Sequence, residues 1–279
     1  MTPKQVIKEL LDGAGITLGG NGPIDVRVHD EKAYGKILTG GILAAGETFM
    51  AGDWDCNRLD KALVTLADSG IEKRLGKVTP ELLGMIAGAY LTNTGTRAKA
   101  RRVAVRHYDL GNDLYQAMLG SPMCYTCGYW SGGAKTLGQA QTAKMELVAK
   151  KLRLKPGMRV LDIGGGWGVT AKHLADTYGV SVLNVTLSKE QVALADKLCA
   201  GSNVENRLQD YRDITDEPFD AICSIGMFEH VGPKNYREYM RTVRRLLKDN
   251  GLFLLHTIGG NESVKTTDPW LEKYIFPGS

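Results

Sequence analysis

A chain of 279 residues, 43% hydrophobic and 24% charged, has the balance of an ordinary globular protein with room for one large core or two modest ones. A formal charge of +4 is too small to point to nucleic acid, no apolar run approaches the ~20 residues that span a bilayer, and no signal-peptide pattern opens the chain. The five scattered cysteines, Cys56, Cys124, Cys127, Cys199 and Cys223, argue against a disulfide framework and fit a cytoplasmic, reducing compartment.

The apolar residues of Pro3 to Leu11 follow a helical period that Gly13 and Gly15 stop. Ile24 to Val28 alternates weakly, as a strand does, and Ile37 to Met50 is apolar but broken by Gly40, Gly41 and Gly46. Leu59 to Ala67 has one helical face. Thr79-Pro80-Glu81 has the chemistry of a helix start and leads into the apolar Leu82 to Leu91. Arg97, Lys99, Arg101, Arg102 and Arg106 follow with no acid among them. An apolar helix beside a basic cluster suits an anionic membrane surface, and it equally suits a core helix with a solvated linker.

His107 to Tyr115 and Met123 to Trp130 are polar and aromatic without a clean period, which predicts structured loops. Cys124-Tyr125-Thr126-Cys127 has a pair spacing but lacks the second ligand pair of a zinc site, so no metal is expected. Thr136 to Leu152 reads as a helix. From there strands and helices alternate: strands at Val160–Ile163, Ser181–Leu187, Val204–Leu208, Phe219–Ile225 and Leu252–Thr257, with helices at Val169–Tyr178, Ser188–Ala200 and Tyr236–Leu247. That alternation predicts an α/β fold with a parallel, doubly wound sheet, here residues 96–279, after a smaller mostly helical domain, residues 1–95.

Val160 to Gly168 carries the strongest local signal, a strand meeting a glycine cluster and then a helix. No lysine follows as a Walker loop requires. A dinucleotide fingerprint would place its third glycine where Val169 stands, and the second strand ends without the acid that binds a ribose. Asp162 followed by Gly164, Gly166 and Gly168 favours S-adenosylmethionine, with Asp162 at the amino-acid end of the cofactor. Ser188-Lys189-Glu190-Gln191 also reads as a capping box, which gives Gln191 a structural alternative to cofactor binding.

Phe49 to Cys56, His107 to Asp113, Tyr125 to Trp130, Leu161 to Gly168, Met227 to Tyr236, Leu254 to Gly259 and Asp268-Pro269-Trp270 together resemble the cyclopropane-fatty-acyl-phospholipid synthases and their mycolic acid relatives. The resemblance implies a Rossmann-like methyltransferase that adds a methylene unit from S-adenosylmethionine to a cis double bond of a phospholipid acyl chain. It implies a bound bicarbonate as base, held by Cys127, Glu229, His256 and the backbone of Ile258, with Tyr125, Tyr129 and Trp130 able to face a developing positive charge. For the cofactor it implies Tyr125, Thr126, the loop with Asp162, Gly164, Gly166 and Gly168, then Thr186, Gln191, Arg212 and Asp213. It further implies peripheral attachment to the inner membrane and a homodimer.

Two departures stand out. Gly165 is often cysteine in the family, a change expected to matter little. Family members also continue for about a hundred residues beyond the Tyr274 to Pro277 stretch, so the catalytic domain is expected to be C-terminally incomplete. A small-molecule methyltransferase and an inactive cofactor- or lipid-binding module are the alternatives.

Overall fold

Residues 2–70, 112–261 and 268–275 are described by the computed structural model. The expected helix at Leu82 to Leu91, the basic cluster from Arg97 to Arg106, His107 to Gly111 and the Phe276-Pro277 pair lie outside the described residues. The chain divides into two compact units, Met1–Thr92 with Lys265–Lys273, and Asn93–Val264 with Tyr274–Ser279.

In the first unit, α1 (Pro3–Asp12) is opened by a reciprocal capping box between Thr2 and Gln5. Its Ile7 and Leu11 pack with Ile16, Val26, Tyr34 and Ala62 into a small core. The glycine-broken stretch is a helix, α2 (Lys32–Met50), interrupted only at Gly41, whose φ of 58° leaves the helical region. Only Arg27–Val28 of the expected strand pairs as β1, antiparallel to β2 (Trp54–Asp55), and α3 spans Leu59–Asp68. A further helix, α9 (Pro269–Tyr274), carries Trp270 onto Gly46 of α2 and is capped by Asp268 Oδ1, which accepts from the Trp270 and Leu271 amides.

The second unit begins with a correction. Asn112–Leu119 is a helix, α4, because Tyr115 and Leu119 turn inward onto Met123 and Trp167, a tertiary contact that local polarity hides. Next come α5 (Leu137–Leu152, capped by Thr136), β3 (Arg159–Ile163), α6 (Val169–Tyr178), β4 (Ser181–Thr186), α7 (Lys189–Leu198), β5 (Val204–Leu208), β6 (Phe219–Ile225), α8 (Tyr236–Leu246) and β7 (Leu247–His256).

The strand order is β5-β4-β3-β6-β7, all parallel. Strand β7 starts five residues earlier than the sequence suggests. Phe219 pairs with Leu247 but Ala221 with Leu252, so the polar Lys248-Asp249-Asn250 run is an irregularity within the strand. Alternation along β3 sends Leu161 and Ile163 into one core with Phe219, Tyr239 and Leu246, and Val160 into the other with Leu152, Leu174 and Val182. Each such buried aliphatic side chain contributes about 1.5–3 kcal/mol. Both faces are thereby covered, and the chain leaves β3 in opposite directions at the sheet centre, where the carboxyl ends of parallel strands form a ligand crevice.

Candidate active site

The loop after β3 lines one side of that crevice. Gly164 takes a φ of 79° and donates its amide to Val185 O at 2.9 Å, and a Cβ there would lie 2.7 Å from Met227. Glycine at 164 thus lets the backbone turn and stay close to Met227. Gly166 lies beside Gln191, whose Nε2 is 3.5 Å from where a Cβ would be. Gly168 does not line the cleft; it is packed beneath α6 against Asn206, Cys199 and Asn184. Its expected contact with the cofactor is therefore corrected to close packing of the helix start.

Asp162 is 1% exposed, and burial pushes its carboxyl up to about 6. Its Oδ2 and Asn184 Oδ1 are buried without a hydrogen-bond partner, and both converge on Gly165, within 2.4 and 2.2 Å of a Cβ placed there. A cysteine at 165 would collide with both, so the expectation that this position matters little is also corrected.

Ser188 Oγ caps α7 by accepting the Gln191 backbone amide at 3.2 Å, a bond that does not depend on the Gln191 side chain. That side chain, expected to return to Ser188, instead turns to Thr186, its Oε1 accepting from Oγ1 at 2.6 Å, while the Ser188 amide donates to Thr186 Oγ1. The end of β4 is thereby tied to the start of α7, and the Thr186 and Gln191 side chains border the cleft.

Beyond β5, a short turn holds Arg212 on Asp210 through two hydrogen bonds of 2.8 and 2.6 Å, with both side chains almost fully buried. Arg212 borders the cleft together with Gln209 and Asp210, which sequence reasoning missed. Asp213, the acid it chose, is exposed and outside the cleft, because Asp210 rather than Asp213 takes the turn's N-cap. The available hint was that Gln209 and Asp210 directly follow the end of β5.

Trp167 closes the crevice floor. Its Nε1 donates to Asn112 Oδ1 at 2.9 Å and its ring lies 4.8 Å from that of Tyr115, which in turn meets Tyr125 edge-on at 5.3 Å. Tyr125 and Thr126 border the cleft. Tyr129 and Trp130 do not: Tyr129 N–H bonds Ala140 O, Trp130 lies against Gly128, and both rings are exposed. The three aromatic rings therefore do not form one cage.

The next residue of the same loop, Cys127, enters a second cluster. Its Sγ is 3.6 Å from His256 Nε2, at the end of β7, and 3.6 Å from Lys144 Nζ of α5. Lys144 Nζ is itself 3.3 Å from His256 Nε2. Burial and Lys144 both hold the His256 imidazole below its ordinary pKa. Glu229, just after β6, accepts the Ile258 amide on Oε1 at 2.7 Å; its Oε2 and His256 Nδ1 are buried without partners. Cys127, Glu229, His256 and the Ile258 backbone are thus held by the neighbouring ends of β6 and β7 and one loop. Sequence reasoning missed Lys144, whose place in a regular helix looks like a solvated charge.

Cys124 is buried beside Thr170 Oγ1, with burial raising its thiol pKa, whereas Cys127 is exposed on His256, so the two do not act as a pair. Among the described residues no group of His, Cys, Asp and Glu side chains could hold a metal ion.

The residues present suit S-adenosylmethionine. The cleft at the glycine loop is bordered by Asp162, whose orphaned Oδ2 suits a cationic amino-acid end, with Thr186 and Gln191 for hydroxyls and Met227 and Val231 for apolar contact. They also suit a small oxyanion near Lys144, where a donor and an acceptor are both orphaned.

Residues 95–279 match the family described as "Mycolic acid cyclopropane synthetase". The cyclopropane-fatty-acyl-phospholipid synthase of Escherichia coli (strain K12) is 48% identical over 273 residues, which cover 98% of this chain and 71% of that one. Among solved structures, mycolic acid cyclopropane synthase CmaA1 complexed with SAH and CTAB matches with a TM-score of 0.53 and 38% identity, over 56% of this chain and 55% of its own. Coclaurine N-methyltransferase bound to N-methylheliamine and SAH matches with a TM-score of 0.58 and 25% identity, over 70% of this chain and 59% of its own.

Proposed function

This chain belongs to the mycolic acid cyclopropane synthetase family, and from that premise we propose that it carries a methylene unit from S-adenosylmethionine to the cis double bond of a phospholipid acyl chain. The observation that carries the proposal is a single loop: Tyr125 and Thr126 border the cofactor cleft, and the adjoining Cys127 touches His256 and Lys144.

S-adenosylmethionine supplies a methyl group on a positively charged sulfur. When the alkene π electrons form the new bond to that methyl, the carbon–sulfur pair stays on sulfur and the second alkene carbon becomes cationic. Loss of a proton from the transferred methyl leaves the electron pair that closes the ring.

The chain's residues have three tasks in this. Asp162, Thr186 and Gln191, which border the cleft, would hold and orient the cofactor. The Tyr125 ring, half-exposed at the cleft, offers its face to positive charge, an interaction worth about 0.5–2 kcal/mol. Glu229, through its free Oε2, with His256 and Cys127 would hold a bicarbonate able to supply the base for the final proton. The Ile258 amide, expected to bind that ion, is taken up by Glu229 Oε1 and fixes that carboxylate. His256, kept neutral by its surroundings, can hold a hydrogen bond there without competing as a cation.

The acyl substrate places the reaction at a membrane. No helix among the described residues is long and apolar enough to cross one. We assign attachment to the anionic inner surface, through the basic stretch at Arg97, Lys99, Arg101 and Arg102, with pairing of two copies as in the family resemblance. Sedimentation with anionic and neutral liposomes tests the attachment; binding that survives neutralisation of those four residues overturns it.

Labelled S-adenosylmethionine with unsaturated phospholipid vesicles tests the reaction: label should enter the lipid as a ring methylene. Absence of labelled lipid where the longer E. coli relative works removes the activity for a chain of this length. Transfer to a soluble acceptor without vesicles would instead identify a small-molecule methyltransferase.

A further inference from the structure

Lys144 is 6% exposed; among the described residues its Nζ hydrogen-bonds His256 Nε2 and Cys127 Sγ alone, and no carboxylate lies within ion-pair distance. A buried ammonium costs several kcal/mol unless hydrogen bonds and an opposite charge meet it. Nothing in the packing of α5 calls for a cation there, since its neighbours on that face, Ala140, Gln141, Val148 and Leu152, are apolar or neutral.

The geometry also decides the imidazole. An ammonium can only donate, so Nε2 must present its lone pair and the ring proton sits on Nδ1. That Nδ1–H is buried without a partner, as is Glu229 Oε2. A small oxyanion that keeps one acidic proton offers an acceptor to the first, a donor to the second and a charge to Lys144.

We propose that Lys144 is a positioning residue of this centre: its ammonium fixes His256 as the Nδ1–H tautomer and supplies the counter-charge for a bicarbonate-type oxyanion. The second half rests on the proposed function, whereas the first half concerns the protein alone. The charged and titratable groups facing His256 are Lys144 and Lys151 from α5, Glu229 after β6 and Cys127 from the loop. Among the described residues, Lys144 and Cys127 are the ones within hydrogen-bond distance of its ring nitrogens.

Side-chain nitrogen NMR of ¹⁵N-histidine-labelled full chain reads the tautomer directly, with His256 assigned by loss of its signal in H256N. The wild type should show an unprotonated Nε2. In K144M the titration midpoint of His256 should rise by about one unit as the neighbouring positive charge is removed, with both tautomers populated. K144R should stay near the wild type, and K144Q repeats the neutralisation if K144M does not fold. Thermal melting and S-adenosylhomocysteine calorimetry establish that each variant is folded with an intact cleft. Binding of ¹³C-bicarbonate should weaken about thirtyfold in K144M, the loss expected on removing one partner of a buried charge pair.

An unchanged midpoint and tautomer in a folded, neutral variant overturn the positioning role. A wild type that takes up no bicarbonate overturns the counter-charge half. Both responses present without labelled lipid would overturn the proposed acceptor and leave Lys144's role standing.

Discussion

Gly165 and Asp162 confront one another: a Cβ on residue 165 would lie 2.4 Å from Asp162 Oδ2 and 2.2 Å from Asn184 Oδ1, where Gly165 and Asp162 line the cofactor cleft and Asn184 is fully buried outside it. Both oxygens sit on buried side chains that cannot swing into solvent. G165C is therefore expected to destabilise the chain by about 1–3 kcal/mol, the cost of overpacking. Urea unfolding measures this, and a variant as stable as the wild type would show that the two side chains can repack.

Asp162 itself gives a pH signature. Its carboxyl holds its proton up to about 6 in the folded chain against an ordinary value of 3.8. Between about pH 4 and 6 the folded state binds more protons than the unfolded, so the stability contributed by this group falls as pH rises through that window and then levels off. The total is about 3 kcal/mol. D162N should lack this descent, and unfolding free energies of both proteins from pH 4 to 7.5 provide the comparison.

Gln191 and Ser188 can be separated. S188A removes the helix cap, at about 1 kcal/mol, and should leave S-adenosylhomocysteine affinity near its original value. Q191A keeps the backbone cap but strands the buried Thr186 hydroxyl, at about 1–3 kcal/mol, and should weaken the ligand by calorimetry. Equal affinity in both variants would leave the Gln191 side chain only its brace on Thr186.

Glu229 should govern chemistry and not cofactor binding, because it lies on the Ile258 amide and outside the glycine-loop cleft. E229Q is expected to lower label transfer into lipid about a hundredfold with S-adenosylhomocysteine affinity unchanged. A parallel loss of affinity would place the carboxylate in the cofactor site.

In the first unit Gly46 has no room for a side chain, since a Cβ would come within 2.3 Å of the Trp270 ring. G46A should push Trp270 off α2, lower the melting temperature and shift tryptophan emission toward longer wavelength. Unchanged emission would mean that the indole finds another seat.

Much of the second unit is legible in its residues. Val169–Tyr178, Val204–Leu208 and Phe219–Ile225 fall where periodicity puts them, because buried parallel strands and amphipathic helices between glycine turns leave strong local patterns. Helix α4 and the start of β7 are not legible: the first is stabilised by Trp167 and the second by pairing with Phe219, and neither partner is local.

For the site, sequence by itself determined the cofactor class and pointed to the groups proposed to react, since the spacing of Asp162, Gly164 and Gly166 and the family-like segments around Cys127, Glu229 and His256 are local features. Only the tertiary structure decided which neighbours complete them. It put Asp210 in place of Asp213, set Tyr129 and Trp130 apart from Tyr125, and brought Lys144 to His256 across 112 residues. The reason is physical: a turn's N-cap, an exposed ring and a buried ammonium are defined by what lies against them, and those contacts are set by the meeting of α5, β6, β7 and one loop.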